Sequence, residues 1–153
     1  MTSDNVLRMG EAPSEKEINE RLKRSLDMLY FHDLFLLKND VVETAISHKL
    51  ALYLQQQFDD WHVDCEYNRN YLGDVKRLDG DIVRPDIIIH RRETRADNLM
   101  VIEIKKMSRT PADEADGLCK LKKYKERMGY QHAVFLKIGT GSQNCGKYSF
   151  KYI

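Results

Sequence analysis

Three charged side chains in the middle of the chain sit where buried strands are normally apolar. Asp86 stands near the head of RPDIIIHRR, and Glu103 and Lys105 lie inside NLMVIEIKK. Strand residues two apart share a face, so Glu103 and Lys105 stand side by side, about 6–7 Å apart. Asp86 is six residues before Arg92 and Glu103 five after Asn98. If the two segments pair through RRETRADN, both carboxylates fall at nearly matching distances from the turn and meet Lys105 there. Like charges ~4 Å apart repel by about 4 kcal/mol at an effective dielectric of ~20, so such a pair calls for positive charge between them. Lys105 supplies one charge. Glu43 adds a third carboxylate, because on a helical wheel it lies within about 20° of Leu50 and Leu54, on the inward stripe. Three negative charges against one positive leave minus two, which a divalent cation neutralises. An all-oxygen ligand set selects a hard ion, Mg2+ or Mn2+, over zinc.

Such residues need rigid mounts, and the periodicity of the chain supplies them. Ser14 followed by Glu17 has the form of a capping box, and Ile18, Leu22, Leu26 and Leu29 then recur at helical spacing, predicting a helix from Ser14 to Tyr30. A second helix is expected from about Asp40 through VVETAISHKLALYLQQQF, its apolar stripe running along Val42, Ile46, Leu50, Tyr53 and Leu54. In HVDCEY the period changes to two, with Val63, Cys65 and Tyr67 on one face of a strand. A long Gly- and Asp-rich loop, NRNYLGDVKRLDGDIVR, follows and ends at Pro85, which fits the first position of a strand. Ile87 to Ile89 form that strand, and LMVIEIK returns as its antiparallel neighbour. Leu118, Leu121, Tyr124 and Met128 mark a third helix, with acidic residues near its start and Gly129 as its stop. AVFLKI and KYSFKYI are the last two strands. The expected order is α-α-β-β-β-α-β-β, an α/β domain with a central mixed sheet over 14–153, preceded by a loose arm at 1–13.

Pro85-Asp86, then Glu103-Ile104-Lys105 on the next strand, with Glu43 on a preceding helix, resembles the PD-(D/E)XK nuclease superfamily, the restriction-endonuclease-like fold. The resemblance covers roughly residues 40–138 and rests as much on the order of elements as on its short motif. It implies Mg2+-dependent hydrolysis of phosphodiester bonds, of DNA before RNA. By that resemblance Asp86 and Glu103 bind the metal, the Ile104 carbonyl is a further ligand, Glu43 completes the site and Lys105 assists the attacking water. Lys120 or Lys123 would match the basic or polar residue that members carry on the helix after the motif. Arg84, Lys106, Lys120 and Lys123 are the candidate contacts to nucleic acid, and cutting both strands would favour a homodimer.

Each feature also has a plainer explanation. Glu43, three residues after Asp40, equally fits a capping box. Glu103 and Lys105 would suit a cross-strand ion pair, and Asp86 after Pro85 would suit a turn. The basic run CKLKKYKERMG is ordinarily a solvated helix face. Beside a phosphate-cleaving centre it, with Arg84, Arg91, Arg92 and Arg95, becomes a track for a nucleic-acid backbone. A fold retained without turnover, as a binding or assembly module, is the alternative to an enzyme, and a protein-interaction domain is a third. Composition does not choose among them: 25 basic residues balance 24 acidic ones, for a net charge of +1. Cys65, Cys119 and Cys145 have no paired spacing, which argues against zinc or a disulfide framework and for a reducing compartment. His48, His90 and His132 lack metal-ligand spacing. With no signal peptide and no apolar run of the roughly 18–20 residues that span a bilayer, the chain is expected to be cytoplasmic with no membrane partner.

Overall fold

A computed structural model of the chain describes residues 11–67, 77–78, 81–92, 94 and 96–153. Helix α1 (Glu15–His32) starts where the capping signal places it. The Ser14 hydroxyl accepts the Glu17 N–H at 3.2 Å, and Ile18, Leu22, Leu26 and Leu29 are buried. A short helix α2 (Leu34–Lys38), too brief to show a period, follows. Helix α3 (Glu43–Gln57) begins three residues later than Asp40. Asp40 has φ of 53° and Val42 precedes the first helical turn with no side-chain cap. The Asp40–Glu43 capping box is thereby replaced: the Asp40 carboxylate instead takes Lys106 at 2.9 Å and the Thr140 hydroxyl at 2.7 Å.

Strand β1 (His62–Cys65) is followed by a two-residue ladder of β2 (Arg77–Leu78) and β3 (Asp81–Ile82) within the expected long loop. Strands β4 (Ile87–His90) and β5 (Asn98–Lys106) form the expected antiparallel pair. Pro85 stands two residues ahead of β4 instead of opening it. Helix α4 (Pro111–Met128) has a complete capping box from Thr110 and Asp113, Pro at its first position and Gly129, at φ of 71°, as its stop. Strand β6 (His132–Ile138), a single turn α5 (Gly141–Asn144) and strand β7 (Tyr148–Tyr152) complete the order.

The result is an α/β architecture around one five-stranded mixed sheet, ordered β1-β4-β5-β6-β7. Every neighbouring pair is antiparallel except β5 and β6, which run parallel because α4 carries the chain back between them. Helices α1 and α3 bury one face of the sheet through Ile87, Ile89, Met100, Ile102, Ile104, Val134 and Leu136. Helix α4 covers the other through Leu121, Tyr124 and Met128, packed on Ile88, Val101, Ala133 and Phe135. Strand alternation therefore puts Glu103 and Lys105 on the α4 face and leaves Ile102 and Ile104 in the α1/α3 core.

The strand HVDCEY stops early. Glu66 takes φ of 48°, so Val63 and Cys65 pack with the α1/α3 core while Tyr67 turns to the α4 side. At the far end of β4, His90 is buried with its ring nitrogen 2.7 Å from Asp64, which also takes Arg92. Those partners hold the Asp64 carboxyl well below the usual carboxylate range although burial opposes them. Cys65, Cys119 and Cys145 are all free thiols. Most of the expected arm at 1–13, the loop segment 68–76 and Arg95 lie outside the described residues. No described helix is long and apolar enough to cross a membrane.

Candidate active site

The register of β4 on β5 pairs Ile87 with Ile102, so the next position brings Asp86 opposite Glu103. There the regular ladder gives way to side chains. The Asp86 carboxylate accepts the Ile104 N–H at 2.8 Å, and the Glu103 carboxylate accepts the Asp86 N–H at 3.4 Å. From the other side Glu66 N–H donates to the Asp86 carbonyl at 3.2 Å, clamping the residue between β1 and β5. Two carboxylates are thus pinned in the sheet by reciprocal hydrogen bonds, which a turn residue or an exposed ion pair would not need.

Their electrostatics follow from that position. Glu103 is only 5% exposed. Burial first, and the Asp86 charge second, push its carboxyl up from 4.5 to about 8, against the pull of the Asp86 N–H, Lys120 and Lys105. Burial raises Asp86 too, with a further push from Glu43, while the Ile104 N–H and Lys105 pull it down. A proton is therefore retained between the two carboxylates near neutral pH unless a cation takes its place. Burial and the same acidic pair raise the Tyr124 hydroxyl, which stays protonated on the α4 wall above them.

Of the candidate cations, Lys105 and Lys120 act on the acids by their charge. Lys105 is half-buried, its charge acts on both carboxylates, and among the described residues no carboxylate lies within ion-pair distance of it. Lys120 is exposed on α4, 3.3 Å from Asp116, and its charge reaches Glu103. Arg84 is exposed immediately before Pro85, and Lys123 is half-buried on α4. Lys106 stands apart: strand alternation turns it to the opposite face, where it is buried against Asp40. Glu43 is near enough for its charge to act on Asp86, yet its carboxylate is 2.5 Å from the Arg109 guanidinium. Among the described residues no three His, Cys, Asp or Glu side chains are gathered as a metal cluster; Asp86 and Glu103 form a pair with Glu43 held beside it.

Two neighbours escaped the sequence reading. Arg109, in the turn before α4, carried no periodic signal. Gly117 did carry one, since glycine inside a helix costs about 1 kcal/mol relative to alanine. A Cβ there would lie 3.0 Å from the Phe135 ring and 3.5 Å from Lys105 Cε, so the glycine lets α4 sit down over the lysine stem. Compared with family models, with curated proteins and with solved structures, the chain matches none.

Proposed function

We propose that the chain is a Mg2+- or Mn2+-dependent nuclease of the restriction-endonuclease-like fold, hydrolysing phosphodiester bonds of DNA. The observation that carries the reading is the cross-strand lock of Asp86 and Glu103 with Lys105 two residues on, mounted on a helix, an antiparallel β-meander, a crossing helix and a parallel strand in the order the resemblance implies. The donor set suits a hard divalent ion: a buried and a half-buried carboxylate whose mutual repulsion already calls for positive charge between them. Asp86 and Glu103 would hold it. The Ile104 carbonyl, on the same side of β5 as the N–H that Asp86 accepts, would be the further oxygen ligand the resemblance implies. Bound there, the ion supplies polarisation of a phosphoryl oxygen and a water of lowered pKa.

The protein groups do the rest. Lys105 stabilises the negative charge that develops on the phosphoryl oxygens, at a site where burial strengthens its field. Glu103 would have to give up its retained proton to hold the ion, so affinity should rise with pH toward about 8. Lys120, exposed on α4, and Arg84, exposed just ahead of Pro85, hold the substrate backbone. Glu43 joins the site only by exchanging Arg109 for the metal. The Glu43–Arg109 ion pair is the observation favouring the second reading, a nucleic-acid-binding or assembly module without turnover. Calorimetric titration of Mn2+ into the wild type and Asp86→Ala tests the metal site: binding to the first and none to the second is expected, and equal binding by both would overturn the ligand assignment.

A further inference from the structure

Strand β7 closes the sheet on one side and has a single neighbour, β6. At the two ends of their register the Gly139 N–H donates to the Lys147 carbonyl at 2.8 Å and the Ile153 N–H to the Ala133 carbonyl at 3.0 Å. Hydrogen-bonded pairs of an antiparallel ladder recur at every second residue, so Lys147, Ser149, Lys151 and Ile153 turn their backbone groups to β6. Tyr148, Phe150 and Tyr152 turn theirs outward, where they have no backbone partner among the described residues. Free edges are usually bulged, shortened or covered, whereas this one keeps a regular register from Tyr148 to Tyr152. Its side chains are sorted as well. Tyr148, Phe150 and Tyr152 form a half-buried row on the α1/α3 side, with ring centroids 6.4 and 6.3 Å apart, while Ser149 and Lys151 stand exposed on the other.

The geometry points to a second copy of this chain as the occupant of that edge: β7 pairs antiparallel with β7 of the second copy, about a two-fold axis perpendicular to the sheet and centred on Phe150. In that register Phe150 meets Phe150 of the second copy, and Tyr148 and Tyr152 meet each other. Each pair exchanges two N–H···O bonds, so every outward N–H and C=O of both strands is answered. Aromatic rings then face aromatic rings across the seam, and Lys151 falls opposite Ser149 of the second copy, which keeps like charges from standing directly opposite. Other registers lack this fit. Sliding one way sets Lys151 against Lys151 of the second copy, and sliding the other takes Tyr152 past its aromatic partner. The dimer does not rest on the nuclease reading, but it bears on it. A perpendicular axis keeps both α4 faces on one side, so the two Asp86–Glu103 pairs open together, their β5 strands about 24 Å apart across the joined sheet.

Sedimentation equilibrium of the wild type, Ser149→Lys and Ser149→Glu tests the proposal at an exposed position that leaves the core alone. The wild type should dimerise below about 100 μM. Ser149→Lys sets lysine opposite Lys151 at both symmetric places and should weaken the dimer about two- to thirtyfold, whereas Ser149→Glu should tighten it. Cross-linking reads the register, in a Cys119→Ser background that removes the exposed native thiol. Ser149→Cys and Lys151→Cys proteins, mixed and then oxidised, should form a disulfide-linked heterodimer, because a non-hydrogen-bonded pair holds its Cα atoms ~4.5 Å apart, within disulfide reach. Either protein alone should stay unlinked, its two cysteines lying on the diagonal about 7–8 Å apart. A wild type that is monomeric at about 100 μM, a dimer indifferent to both charge changes, or a mixture that cross-links no better than its components would overturn the seam, and each leaves the metal-centre reading where it stands.

Discussion

Replacing Glu103 by glutamine should stabilise the metal-free protein at high pH and leave it unchanged at low pH. The unfolded chain gives up this proton near 4.5, whereas the folded protein keeps it to about 8. Between those values the folded state binds more protons than the unfolded one, so the contribution of Glu103 to stability is fully present below 4.5 and is lost as pH rises to about 8. A carboxyl moved that far, at ~1.4 kcal/mol per pH unit, corresponds to about 5 kcal/mol. Asp86 carries part of the same repulsion, so about 2–5 kcal/mol is expected. Glutamine keeps the shape and its carbonyl can still accept the Asp86 N–H, but it carries no charge to bury. Urea unfolding in EDTA at pH 5 and pH 9 reads the difference directly. A variant less stable than wild type at pH 9, or a gap independent of pH, would refute the account of the acid pair. Saturating Mg2+ should erase the advantage, since the ion stabilises only the protein that binds it.

Two further substitutions probe the surroundings. Gly117→Val should cost about 1–3 kcal/mol in urea unfolding, because a Cβ at 3.0 Å from Phe135 overpacks the seam under α4 and the gain of helix propensity over glycine is smaller than that. Arg109→Met should tighten Mn2+ binding measurably, by a few-fold in calorimetry, by releasing Glu43 from its half-exposed ion pair; unchanged affinity would count against Glu43 as a ligand.

Much of the fold was legible because the chain punctuates itself. Ser14 and Gly129 stand where α1 begins and α4 ends, and the triple isoleucine of β4 and the alternation in β7 declare strands by composition and period. The meeting of Asp86 and Glu103 followed from counting residues to the turn, and the β-bulge near His90 absorbs the one-residue mismatch in that count. What stayed hidden was tertiary. Asp40 and Glu43 have the spacing of a capping box, but Lys106 and Thr140 reach Asp40 from 66 and 100 residues away, and Arg109 reaches Glu43 from 66 away. No local pattern announces such partners. Lys106 looked like one more cation beside the motif, and only strand alternation against a solved layer order shows that it faces away from the acids.

The central claim is that Asp86, Glu103 and Lys105 form a metal-dependent centre for phosphodiester hydrolysis. Its most direct test is a cleavage assay on single-stranded, flapped and duplex DNA with Mg2+ or EDTA, run with the wild type and with Lys105→Ala whose fold is checked by circular dichroism. The account predicts cutting of at least one substrate by the wild type with Mg2+, none in EDTA, and loss of cutting in a folded Lys105→Ala. Cleavage that persists in EDTA or in the variant, or a wild type that binds these substrates and cuts none, would contradict it.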